Sequence, residues 1–175
     1  MDWIHVNILF KDIERTLQEL HSDAGKEKPV DAYKELMLYL MDIVNSLSSN
    51  LERYFFLFEP DPHLFFALEL KDSSIVEKMK EIVALIKCPG FIEKVSVQED
   101  TKDEANGETA LDFYHVGTKH AFRRVSDDYK GGYYNNNEVK LVHCLSNQLF
   151  VTQKNEIEFY LNCLKHRGVD IRYTA

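Results

Sequence analysis

The stretch FFLFEPDPHLFFALEL, residues 55–70, decides the fold. Two runs dense in Phe and Leu flank a Pro-Asp-Pro-His corner at 60–63. Pro60 and Pro62 have no amide proton to give to a ladder, so they belong to a turn, and Asp61 between them is an ordinary turn residue. The runs 54–58 and 64–70 are therefore predicted to be two strands of one hairpin. Both are apolar on both faces, as in central strands. On the second strand Leu64, Phe66, Leu68 and Leu70 point one way, and His63, Phe65, Ala67 and Glu69 the other. The second row is less apolar. It is expected to face solvent, a cleft or another part of the chain.

Upstream, Ile4, Val6 and Ile8 alternate with His5 and Asn7, which predicts a strand over 3–10. Residues 11–21 read as a short amphipathic helix and 22–29 as a charged loop. Apolar residues at three- and four-residue steps predict a helix over 30–47, with Pro29 at its start. Downstream, Ser74 and Glu77 form a capping-box pattern before a helix that stops at Cys88-Pro89-Gly90. Val95 and Val97 alternate in a last strand over 91–98. With the doubled first helix set aside, residues 1–98 follow the β-α-β-β-α-β order of ferredoxin-like folds, an α+β architecture with helices on one face of an antiparallel sheet.

Residues 99–108 are polar and charged, a loop. Helices are predicted over 110–125, 138–150 and 153–167, with a Gly131-Gly132 loop between the first two, so 109–175 reads as a helical C-terminal subdomain packed on the first half.

Composition narrows the function classes. The chain has 175 residues, 45% hydrophobic and 29% charged, as expected of a folded globular protein. Its formal net charge of −8 disfavours nucleic acid, since the one basic cluster, Lys119, His120, Arg123 and Arg124, is short. No apolar run reaches membrane-spanning length and the start is unlike a signal peptide, so a cytoplasmic protein with no membrane partner is expected. Cys88, Cys144 and Cys163 show no Cys-x-x-Cys spacing, which argues against a disulfide framework and a zinc ribbon. His115 and His120 are five apart, the wrong step for a metal pair on one helix face, so neither a metal nor a cofactor is expected. Solvated histidines are the plainer reading, with Arg123 and Arg124 pairing to Asp127 or Asp128, or clamping an anion. Phosphate-loop, dinucleotide and serine-hydrolase motifs are lacking.

One helix carries a candidate acid or base. His143 borders the apolar stripe of the helix over 138–150, and Asn147 lies one turn on, so both reach one edge. A hydrogen-bonded boundary histidine is the plainer alternative.

Two stretches carry a family resemblance. FFLFEPDPHLFFALEL resembles the Phe-Phe-Ile-Arg-Tyr, Asp-Pro, His-Leu-Arg-Leu-Arg segment of the small C-terminal domain of lantibiotic dehydratases, found also in thiopeptide-type bacteriocin biosynthesis proteins. VHCLSNQLF, 142–150, resembles that family's His-Met-x-x-Asn-Arg-Leu helix, and DDYKGGYY, 127–134, its Gly-Gly loop. The resemblance implies an elimination of glutamate from glutamylated Ser or Thr, with the histidine role falling to His143 and Asn147 beside it. The chain departs from the pattern where that chemistry needs cations: Phe58, Phe65 and Ala67 stand at family arginine positions, and Gln148 replaces the arginine after Asn147. Lost guanidinium groups remove stabilisation of the developing charge. The resulting expectation is a non-catalytic peptide-binding or accessory module, its site built from His143, Asn147, His63, Phe58, Phe65, Arg123 and Arg124. A lyase retaining His143 as acid or base is the alternative. A structural protein that forms homo-oligomers through Tyr- and Phe-rich surfaces, including Tyr133 and Tyr134, is the third reading.

Overall fold

A computed structural model describes residues 2–26, 28–58, 63–100 and 108–129. The helices expected over 138–150 and 153–167, with His143, Asn147 and the Gly-Gly loop, lie outside the described residues.

The elements run β1 (Asp2–Phe10), α1 (Ile13–Ala24), α2 (Ala32–Leu47), β2 (Leu51–Phe58), β3 (His63–Leu70), α3 (Val76–Leu85), β4 (Ile92–Asp100) and α4 (Glu108–Arg124). The architecture is α+β: among the described residues, four α-helices and one four-stranded sheet in the order β2-β3-β1-β4, every neighbouring pair antiparallel. The alternation seen in the sequence sets the layers. Ile4, Val6, Ile8 and Phe10 of β1 and Leu64, Phe66, Leu68 and Leu70 of β3 enter one core with Phe56 of β2. There they meet Leu20 of α1, the stripe Tyr33, Leu36, Met37, Leu40, Ile43 and Leu47 of α2, and Met79 and Val83 of α3. Each fully buried Leu, Ile or Phe in that layer contributes about 1.5–3 kcal/mol through area removed from water.

Three local expectations are corrected. α1 runs three residues beyond the expected His21, to Ala24. The chain enters α3 through a 3-10 turn, Ser73–Ile75, capped by Asp72, whose carboxylate accepts from the Ser74 amide (2.9 Å), and α3 itself has no side-chain cap, from Ser74 or any other residue. β2 is an edge strand, although its residues are apolar on both faces. The reason is α4, which packs along it. Leu111 and Tyr114 lie against Trp3, Phe55 and Ala67 on the sheet's second face, while Ala121, Phe122 and Val125 reach round to the main core. β2 is thus covered on both sides as a central strand would be.

Candidate functional site

The second face of the sheet is built from the odd-numbered residues of β1, β2 and β3. Trp3 and Phe55 meet edge-on (ring centroids 5.6 Å apart), and Phe55 stacks on Tyr114 of α4 (5.3 Å). Ala67 is buried beneath them, and Leu57 and Phe65 pack at the margin. Phe65 also meets His5 edge-on at 4.3 Å. Next to His5, the register places Gln98, and next to Asn7, Ser96. This half of the face therefore presents an aromatic pair beside amide and hydroxyl side chains.

A buried ion pair lies at the other end of the face. Glu69, fully buried on β3, receives both arms of the Arg53 fork: Nε to Oε2, and Nη2 to Oε1 at 3.1 Å. Arg53 Nη1 donates to Asp112 of α4 at 3.1 Å. The hairpin register that sets Tyr54 opposite Leu68 brings these two charges side by side. A buried carboxylate survives only with such a partner, because an isolated one would cost several kcal/mol. Two carboxylates hold the guanidinium. Sequence reasoning missed this pair, although a lone Glu in the apolar run 64–70 was a usable signal.

α4 also bonds to the outward backbone of β2. Phe56 N–H donates to the Thr118 hydroxyl (3.3 Å). His115 Nδ1 lies 3.2 Å from Tyr54 N and 3.0 Å from Tyr54 O, so its tautomer selects which it satisfies. Burial pushes the His115 pKa below the ordinary imidazole value, against the opposing Tyr54 carbonyl, with Lys119 and Arg53 adding to the fall. His120 is pushed down to about 4 by burial, with Arg124 and Arg123 adding to it. Neither is the solvated histidine expected from the sequence, and five-residue spacing on one helix reaches two different environments.

Of the expected site residues, His143 and Asn147 lie outside the described residues, and Phe58 and Phe65 are not brought together. Phe58 packs against the main core and Phe65 belongs to the second face, so they lie on opposite sides of the sheet. His63 begins β3 in register with Leu9. Arg123 is exposed, whereas Arg124 is buried, 7% exposed, and donates through Nη2 to the carbonyls of Ala24 (2.9 Å) and Lys26 (2.5 Å). A cation there complements the negative end of α1. Asp127 meets Lys34 of α2 (3.4 Å).

In the last turn of α1, Asp23 is 2% exposed and collects the amides of Val30, Asp31 and Tyr33 (2.9 Å each) and Lys34 (3.2 Å). It caps α2 from the end of α1. Burial alone would raise its pKa; the Val30, Asp31 and Lys34 amides and the Lys26 ammonium together hold it below the usual carboxylate value. A groove of about 630 Å³ runs over this junction. Among its carboxylates, Asp31 pairs with Lys26 (2.5 Å) and Glu19 with Arg15 (2.9 Å). Among the described residues no group of three or more potential ligands could hold a metal ion, and no helix is long and apolar enough to cross a membrane.

Comparison with protein-family models, with curated proteins and with solved structures found no match for this chain.

Proposed function

We propose that this chain is a non-catalytic peptide-binding or accessory module, a diverged relative of the small domain of lantibiotic dehydratases, on a ferredoxin-like β-α-β-β-α-β core. The fold assignment is supported by the order β2-β3-β1-β4 with all neighbours antiparallel, and by α1, α2 and α3 sharing one core with the same sheet face. The functional reading is carried by one observation. Phe65 and Ala67, at positions where the resembled family has arginines, form an apolar face with Trp3, Phe55 and Tyr114, and the guanidinium nearest in the hairpin, Arg53, is held by Glu69 and Asp112. An elimination needs a cation facing the developing negative charge, and here that place is apolar. An aromatic strip beside Asn7, Ser96 and Gln98 suits an extended peptide, apolar side chains meeting Phe65 and backbone amides meeting the polar row. The net charge of −8 favours a basic one.

The chain's single tryptophan, Trp3, sits in this face and reports on it. Arrayed basic, apolar peptides are screened against the full chain, and hits are titrated by Trp3 fluorescence. Micromolar binding that weakens about tenfold in Phe65→Ala, the loss of one aromatic contact, supports the reading. A glutamylated Ser or Thr peptide that loses glutamate on incubation with the protein, read by mass spectrometry, overturns it in favour of a lyase.

A further inference from the structure

The two edges of the sheet are managed differently. The outer side of β2 is occupied by α4, with Thr118 and His115 bonded to its backbone. β4, at the opposite edge, has no strand on its outer side among the described residues. It is nine residues long and contains no proline. Such an edge presents a row of backbone donors and acceptors to another strand.

Charged residues often blunt an exposed edge, and β4 carries Glu93, Lys94, Glu99 and Asp100. Their order also fits a second copy of the same strand. Two copies related by a two-fold axis pair antiparallel about one central residue, and side chains keep their faces. A register centred on Ser96 would set Glu93 against Glu99 of the second copy, twice. Moving the centre to Val97 sets Lys94 against position 100, an aspartate, at both ends. Ser96 then faces Gln98, and Val97 faces itself. Glu99 faces Val95, and its charge is already met within its own chain by Lys80 of α3 at 3.2 Å. No like charges oppose one another within the strand in this register.

We propose that β4 pairs antiparallel with β4 of a second copy of this chain, centred on Val97, so that two four-stranded sheets become one continuous sheet. The opposed Lys94 and Asp100 select that register. Closure about a two-fold axis consumes both free edges, so pairing ends at the dimer.

The test is sedimentation equilibrium of the full chain over a concentration series up to the millimolar range, with Lys94→Glu, Asp100→Lys and the double variant. The wild type is expected to form a reversible dimer. Each single variant places like charges opposite at both ends and is expected to weaken it roughly tenfold. The double variant restores opposite charges and is expected to recover the wild-type constant within roughly threefold. Hydrogen exchange of the wild type supplies a readout free of substitutions: β4 amides should gain protection as concentration rises. A wild type monomeric throughout the series, a dimer unmoved by either single variant, or a double variant as weak as the singles would each overturn the proposal.

Discussion

Arg53 on β2 and Glu69 on β3 form a forked ion pair under α4, with the carboxylate fully buried and the guanidinium tied onward to Asp112. Removing one partner strands the other charge. Glu69→Ala is expected to destabilise the fold by about 3–5 kcal/mol, measured as a lowered urea midpoint at unchanged slope. The double variant Arg53→Met, Glu69→Leu is expected to recover most of that loss, because an apolar pair avoids the desolvation of two ions. A double variant as unstable as the single would show that the pair does more than neutralise itself.

Asp23→Ala removes the acceptor shared by four backbone amides at the start of α2. The expected loss is about 2–3 kcal/mol, the upper range for a cap made by a buried charged group. Circular dichroism during thermal melting reads it directly. Asp23→Asn keeps an acceptor oxygen and should lose less.

Acid should act in two stages. The His115 and His120 pKa values are held below the unfolded value of about 6.5, so the unfolded chain takes up protons first. Their contribution is complete above about pH 6.5, is lost as the pH falls towards the folded values, about 4 for His120, and is constant below them. Asp23 acts in the same sense at lower pH: its depressed pKa gives stability present above the unfolded carboxylate value near 3.9, lost as the pH falls through the folded one. Urea midpoints measured from pH 8 to pH 3 should fall first below about pH 6.5 and again below about pH 4. His120→Gln is expected to flatten the first fall and leave the second.

Thr118→Val keeps the shape of a fully buried side chain and removes the acceptor for the Phe56 amide. A loss of about 1–2 kcal/mol is expected. The variant should also aggregate faster than wild type when heated below its melting point, read by light scattering, because the β2 edge is then less firmly held by α4. Equal aggregation rates at equal stability would remove the helix from that protective role.

Period-two alternation made β1 and β3 legible, since Ile4, Val6, Ile8 and Leu64, Phe66, Leu68 face one core. The three- and four-residue steps of α2 were equally plain. What escaped was whatever depends on partners far along the chain. β2 reads as a central strand because nothing local announces that α4, some 60 residues later, will cover it. Asp23 reads as one more charge in a charged loop, because a cap supplied from the preceding helix leaves no periodic trace. Arg123 and Arg124 look alike in sequence, yet successive helical residues point about 100° apart, and only the second meets the carbonyls of Ala24 and Lys26. For the candidate site, the alternation separated Phe65 from its neighbours correctly. It could not show that Phe58, at the other strand's end, faces the opposite way, because that requires the register across the hairpin.

The late position of α4 has a consequence during synthesis. β2 ends at Phe58 and α4 begins at Glu108, so about 50 residues separate the edge from its cover. At a ribosomal rate of ~5–20 residues per second, the hairpin emerges several seconds before the helix that shields it. For that interval a growing chain carries a bare strand rich in phenylalanine, alongside neighbouring chains on the same message. Yield in the cell should therefore depend on the pace of translation between codons 58 and 124 as well as on the stability of the finished protein.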